Sequence, residues 1–308
     1  MPNTVLKDKT LQETFDKKGY VQVPFLTDVE VAYFKKMFFE TIAESGGAMT
    51  SDDADFKPEN EITYDFTFID RSPDYKRKVF KIITEIFQKR ANEYLNDYTP
   101  IIANYIRKKE QGGEVPLHQN WAFVDEKKFT SVSIWVPLVD SNEENGTLQM
   151  VEGSHKRFAR MRGPMIPWEL EAIKAEIIER HLTPMNLKAG TGVILDDSIV
   201  HYSNINKTPG LRLAIQLIMV PACTHSVHYH LDQSKDKTKV HVLETDADFY
   251  MGFRPWLKPV SKREIKTEKY KSLSISYEEF LKGLKGKRFD EEKGLLKKAM
   301  SLFKTENV

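Results

Sequence analysis

A chain of 308 residues is long enough to bury a large core. With 40% hydrophobic and 30% charged residues it has the composition of a soluble globular protein, which excludes a disordered or fibrous chain. A net charge of +1 excludes an overall electrostatic pull toward nucleic acid or anionic membrane.

The N-terminal stretch through Phe15 lacks the apolar core of a signal peptide. No apolar run approaches the roughly 20 residues needed to span a bilayer. The single Cys223 cannot form an internal disulfide, so a reducing cytoplasm is the expected compartment. Leu11 to Lys18 predicts a short helix ended by Gly19, and Tyr20 to Phe25 a short strand. Thr27-x-x-Glu30 has the pattern of a capping box. Behind it Val31, Phe34, Phe38 and Ile42 repeat at helical spacing until Gly46-Gly47 stops the run. Residues 47 to 72 are polar and irregular, which suits a surface loop or lid. Ser72-Pro73 then opens a second helix with Val79, Ile82, Ile83 and Ile86 as its apolar stripe.

From residue 100 the period changes. Ile101 to Arg107, Ser131 to Leu138, Val193 to Asp196 and Leu211 to Val220 read as strands, and Trp168 to Arg180 as an inserted helix. Strands that do not alternate with helices predict paired antiparallel sheets, a sandwich or jelly roll. After about Tyr250 the chain turns basic: residues 261 to 308 hold 13 Lys/Arg and 8 Asp/Glu, a net +5 against −4 for the rest. Ser276-x-x-Glu279 with Phe280, Leu281 and Leu284 predicts one helix there, and Leu295 to Phe303 another. This division predicts a domain over 1–250 and a helical extension over 251–308 packed on it. The basic excess fits solvated helices better than an arm for an acidic partner.

The chemistry concentrates at His118-Gln119-Asn120. A His-x-Asp on one strand, joined by a distant His, is how non-haem Fe(II) oxygenases hold their metal; here the carboxylate position reads Asn. Residues at i and i+2 of a strand share a face, so His118 and Asn120 both aim inward. His201, after the turn and strand Gly190 to Asp197, suits the third ligand. Three facial ligands leave three positions on an octahedral iron, two for a bidentate 2-oxo acid and one for O2. Arg212 offers a planar, permanently charged fork for the distal carboxylate of 2-oxoglutarate, and Ser203 a hydroxyl for the same group. Trp135 is a candidate wall of that pocket. Asn104 and Tyr105 are candidate contacts to 2-oxoglutarate or substrate.

In this order the motifs resemble the phytanoyl-CoA dioxygenase family of Fe(II)/2-oxoglutarate oxygenases, over roughly residues 11 to 221. The likeness runs from Gly19 to Leu26 through Pro116 to Trp121, Asn145-Gly146-Thr147-Leu148 and Glu152-Gly153-Ser154-His155-Lys156 to His201 and Arg212. It implies a mainly β chain with flanking helices, folded as a double-stranded β-helix, the cupin-like jelly roll. It also implies iron on His118, position 120 and His201, and 2-oxoglutarate on Arg212. The implied reaction uses Fe(II), 2-oxoglutarate and O2, with ascorbate as the assay reductant. It hydroxylates an unactivated C–H of a small or carrier-linked molecule and releases succinate and CO2.

Position 120 departs from the family's usual Asp. Asn ligates through its carbonyl oxygen without adding negative charge, so iron is expected to bind more weakly. Three readings stay open: Asn120 ligates; Asp125 or Glu126 takes its place; or the site is degraded, leaving a weak or inactive jelly-roll ligand-binding protein. A halogenase, which opens a halide position with a small residue, needs Gly or Ala there rather than the larger Asn.

Other residues read as structural first. His155 fits a loop near the site and His181 a helix end, where the dipole favours a cation. In His225 to Asp232, His228, His230 and Asp232 share a strand face, which allows a metal site, but that site would leave His118 and His201 unexplained. Asp197 is a candidate partner for His201, fixing its tautomer. The expected partner is a small-molecule substrate, with no nucleic acid and no membrane.

Overall fold

Local signals start and stop the first elements. In the computed structural model, which describes residues 4–47, 65–255, 257, 259–260 and 263–291, Asp8 caps helix α1 (Lys9–Lys18) by accepting from the Leu11 N–H. Gly19 ends it in the left-handed region at φ 86°. Strand β1 (Tyr20–Pro24) follows. Thr27 and Glu30 form the reciprocal capping box of α2 (Asp28–Thr41), and Val31, Phe34 and Phe38 line its buried face. Residues 48–64 of the predicted loop lie outside the described residues. After them come β2 (Asp65–Phe66), a 3-10 turn (Thr67–Ile69) and α3 (Pro73–Tyr94), which has Ser72 as its cap and Pro73 in its first turn.

The remaining elements, in chain order, are strands β3 (Tyr98–Lys108), β4 (Val115–His118), β5 (Val132–Pro137) and β6 (Leu148–Met150), helix α4 (Lys174–Arg180), and strands β7 (Thr183–Pro184), β8 (Thr191–Asp196), β9 (His201–Ser203) and β10 (Arg212–Pro221). Strands β11 (Ser226–Leu231) and β12 (Lys239–Thr245), helix α5 (Ala247–Gly252), strand β13 (Arg263–Lys269) and helix α6 (Tyr277–Lys285) complete the described chain. The inserted helix is shorter than its pattern: a 3-10 turn at Glu171–Ile173 leads into α4.

Ten strands form two antiparallel sheets, ordered β1-β8-β5-β10-β3-β2 and β4-β9-β6-β7. This is the jelly roll. Strand alternation divides the residues of the larger sheet between its two faces. Ile134, Val136, Tyr105, Ile215 and Leu217 face α2 and α3 in one buried cluster with Phe34, Val79 and Phe87. Trp135, Val193, Leu195 and Ala214 face the other way, packing with Leu148 and Met150 of the smaller sheet. The site lies on that inner face.

A third sheet, β11-β12-β13, follows the jelly roll. Strand β13 corrects the expectation of a purely helical extension: Arg263 to Lys269 pair along β12 as its outer neighbour. Helix α6 carries its predicted capping box at Ser276 and Glu279. It buries Phe280 against Phe158, with ring centroids 5.2 Å apart. The second predicted tail helix, Leu295 to Phe303, lies outside the described residues. Among the described residues no helix is long and apolar enough to cross a membrane.

Candidate metal and cosubstrate site

Strand β4 ends on His118, strand β9 begins on His201, and the two residues are direct ladder partners. Their ring centroids are 4.2 Å apart. Each ring is held from behind in the same way. Nδ1 of His118 meets the Pro116 carbonyl at 2.7 Å, and Nδ1 of His201 meets the Ile199 carbonyl at 2.9 Å. A carbonyl only accepts, so each Nδ1 carries the ring proton and each Nε2 keeps its lone pair. Burial pushes the His118 imidazole down to about 4. Burial, then the neighbouring His118, holds His201 well below the ordinary value. Both rings are therefore neutral at pH 7, the form a metal requires.

Both histidines line a cavity of about 180 Å³ with Asn120, Asn104, Trp135, Ser203, Arg212 and Gln216. Asn120 lies two residues beyond the histidine that ends β4. Its Nδ2 donates to Asp197 Oδ1 at 2.9 Å and to Ser133 Oγ at 3.1 Å. With both Nδ2 hydrogens given away, its amide oxygen is the free end and lies on the His118 side. The candidate substitutes are engaged elsewhere. Glu126 is buried in a bidentate pair with Arg162 at 2.6 and 2.7 Å, and Asp125 accepts from the Lys127 N–H in its own turn and pairs with Lys128. Among the described residues no group of three His, Cys, Asp or Glu side chains is placed to hold a metal.

Arg212 is 2% exposed at the start of β10. Its Nη2 donates to the Gly146 carbonyl at 3.0 Å and to Ser203 Oγ at 3.3 Å. Nε and Nη1 are buried with no protein partner. The Trp135 ring lies 5.6 Å from the guanidinium carbon. Burial lowers this group to about 9. Lys108, its ladder partner on β3, is pushed down to about 6 by burial, then by Arg212. Lys108 donates to the Ser203 carbonyl at 2.9 Å and to Ser203 Oγ at 2.5 Å. With Lys108 neutral at pH 7 and spent on Ser203, Arg212 is the charged group of this part of the cavity, and its free Nε and Nη1 are the donors a carboxylate would meet.

The Asn-Gly-Thr and Gly-Ser-His-Lys turns of the sequence support these side chains. Gly146 adopts φ 72°, and a Cβ there would meet the Asn204 carbonyl at 2.2 Å. Ser154 Oγ accepts from the Val200 N–H at 2.9 Å, and Ser198 Oγ from the Lys156 N–H at 2.8 Å. The Gly-Ser-His-Lys run thus braces the turn that delivers His201. His155 itself points away, its Nε2 3.1 Å from the Asp16 carbonyl.

Two expectations are corrected. Tyr105 does not reach the cavity: strand alternation turns it to the helical face, where its hydroxyl donates to the Phe34 carbonyl at 3.1 Å. Asp197 does not set the His201 tautomer, because the Ile199 carbonyl does; Asp197 serves Asn120 and Ser133 instead. His228 is also no ligand of a second site. It is packed between Trp121, Phe249 and Phe253, at ring-centroid distances of 6.0, 5.8 and 5.0 Å. Lys108, Ser133, Arg162 and Gln216 were not singled out in the sequence. The period-two run Asn104, Ile106, Lys108 was the available signal for Lys108.

The phytanoyl-CoA dioxygenase (PhyH) family model matches residues 15–214, about two thirds of the chain. The chain belongs to the phytanoyl-CoA dioxygenase family. Among relatives, the phytanoyl-CoA dioxygenase domain-containing protein 1 homolog of Dictyostelium discoideum is 33% identical over 121 residues, 37% of this chain and 43% of that protein. Phytanoyl-CoA dioxygenase 1 of Oryza sativa subsp. japonica is 28% identical over 113 residues, 35% of this chain and 40% of that protein. The matches thus span less than half of either relative. Among solved structures, the non-heme alpha ketoglutarate dependent carbocyclase SnoK from nogalamycin biosynthesis aligns with a TM-score of 0.51 at 16% identity, over 72% of this chain and 86% of its own. The epimerase SnoN in complex with Fe3+, alpha ketoglutarate and nogalamycin RO aligns with a TM-score of 0.50 at 20% identity, over 71% and 85%. These likenesses show that the fold is shared. Within it, the two neutral imidazoles and the amide that line this phytanoyl-CoA dioxygenase family member's cavity would fit a ferrous ion.

Proposed function

We propose that this chain is an Fe(II)/2-oxoglutarate-dependent oxygenase that hydroxylates a C–H bond of a small or carrier-linked organic molecule and releases succinate and CO2. One observation supports this above all. The unpartnered Nε and Nη1 of Arg212 share one cavity with the paired His118 and His201. A buried guanidinium with unmet donors is costly unless a ligand anion meets them. In this reading His118 and His201 hold iron through Nε2, and Asn120 through its amide oxygen. Arg212 binds the distal carboxylate of 2-oxoglutarate, Ser203 adds a hydroxyl, and Trp135 walls the site. Asn104, on the same inner face, contacts the cosubstrate or the substrate.

When bound, the iron supplies O2 activation coupled to decarboxylation of 2-oxoglutarate. The protein's part is to orient both partners and keep water out. Phe66, Phe68, Trp121 and Phe123 on the cavity wall suit an apolar portion of the substrate. The fold itself does not choose that substrate. The exposed, lone Cys223 fits a reducing cytoplasm.

A second reading, a ligand-binding jelly roll with little turnover, draws on the missing carboxylate at position 120. Succinate formation separates the two. Purified protein with Fe(II), ascorbate, 2-oxoglutarate and a panel of candidate substrates is expected to form succinate above a metal-free control. Binding of metal and 2-oxoglutarate with no succinate across the panel would favour the second reading.

A further inference from the structure

We propose that Asp197 is a positioning residue for the metal site: it turns the Asn120 amide oxygen toward the metal and supplies, one hydrogen bond away, the negative charge an amide ligand lacks. The inference rests on the reading of His118, His201 and Asn120 as the metal-holding set.

The hydrogen bonds around Asp197 fix each direction. Ser133 Oγ donates its only hydrogen to Asp197 Oδ1 at 2.6 Å. Ser133 is then purely an acceptor, taking Asn120 Nδ2 at 3.1 Å and Gln216 Nε2 at 3.3 Å. Asn120 Nδ2 also donates to the Asp197 carboxylate at 2.9 Å. Turning the Asn120 amide over would set its oxygen against that carboxylate and against the Ser133 lone pairs, exchanging two hydrogen bonds for two repulsions. The oxygen is therefore held on the imidazole side. The network continues outward, since Gln216 Oε1 accepts from Asn104 Nδ2 at 3.2 Å, so Gln216 is itself braced. The main chain is held as well: Arg162 Nε donates to the Asn120 carbonyl at 2.6 Å, and Nη2 reaches the Asp197 carbonyl at 3.5 Å.

Charge points the same way. Asp197 is fully buried, and its Oδ2 has no hydrogen-bond partner. The Arg162 guanidinium is committed to Glu126 at 2.6 and 2.7 Å. A buried carboxylate of this kind is costly until a cation offsets it. A divalent ion on Asn120 is that cation, and it in turn polarises the amide that Asp197 accepts from. An Asp at position 120 would instead set two carboxylates against each other. Asn120 and Asp197 are thus a matched pair, with the charge moved one layer back from the metal.

A double-mutant cycle on the full chain tests this, with Co(II) as the probe, read by calorimetry and by the visible spectrum of the bound ion. Asp197→Asn removes the charge at nearly constant volume and is expected to weaken Co(II) binding about 10- to 100-fold, the usual cost of losing such a partner. Asn120→Asp alone is expected to gain little. In the Asp197→Asn background the same change is expected to restore wild-type affinity or better, with a changed spectrum. Thermal unfolding and circular dichroism of each variant report the fold. If Asp197→Asn does not fold alone, Asn120→Asp is compared with the double variant: Co(II) affinity at least as high in the double variant is expected, and a double variant about 10- to 100-fold weaker overturns the inference. An Asn120→Asp effect equal in both backgrounds, or unchanged affinity in Asp197→Asn, overturns the inference and leaves the site reading standing. Wild-type protein that takes up no Co(II), or His201→Ala that takes up as much, overturns the site reading and the inference with it.

Discussion

His228 is 2% exposed, enclosed by Trp121, Phe249 and Phe253. Burial, then the nearby His230, pushes its imidazole down to about 3. In the unfolded chain the same group titrates near its ordinary value of about 6.5. Between those values the unfolded chain binds more protons than the native one, so stability falls as pH falls from about 6.5 toward 3. At about 1.4 kcal/mol per pH unit, the loss reaches about 3 kcal/mol by pH 4. His228→Phe is expected to flatten this acid limb in urea unfolding midpoints between pH 7 and 4; an equally steep limb would show that His228 does not titrate as described. At this scale the sequence exposed the candidate ligands and the cosubstrate arginine, because His118, His201 and Arg212 sit in recognisable runs. It hid Lys108 and the true partner of Asp197. Those contacts join β3 to β9 and position 120 to the turn after β8, and no local pattern records such pairings.

Among the elements, the loop from Asn142 to Thr147 braces Arg212 and Ser203. The Gly146 carbonyl accepts from both Arg212 Nη2 and Ser203 Oγ, at 3.0 and 2.8 Å. Gly146→Ala adds a Cβ that would meet the Asn204 carbonyl at 2.2 Å, at φ 72°. We expect a loss of about 1–3 kcal/mol in urea unfolding, together with weaker 2-oxoglutarate binding. Wild-type stability and affinity would show that the loop does not position Arg212. The principal strands were legible because apolar residues alternate or run continuously between Gly, Asn and Pro breaks. Helices α1, α2, α3 and α6 were legible from their caps. Strand β13 was not: Arg263 to Lys269 are nearly all polar and six of the seven are exposed, so the edge of a sheet looked like a solvated tail. The short strands β6, β7 and β9 exist through their neighbours rather than through propensity.

Taken whole, the molecule packs helices α2 and α3 on one face of the jelly roll's larger sheet and α6 against its smaller one, with a separate three-stranded sheet built from the chain after β10. The inner faces enclose a cavity lined together by His118, His201, Asn120 and Arg212. The central claim is that this cavity holds iron and 2-oxoglutarate at once. The direct measurement is an anaerobic titration of Fe(II)-loaded protein with 2-oxoglutarate, followed by the visible charge-transfer absorption that appears when a 2-oxo acid chelates ferrous ion. The account predicts a saturable band for the wild-type chain, its loss in His201→Ala, and at least about 30-fold weaker saturation in Arg212→Ala, since losing a buried charge partner costs about 2–5 kcal/mol. No band in the wild-type chain, or a band unaltered by both substitutions, would contradict it.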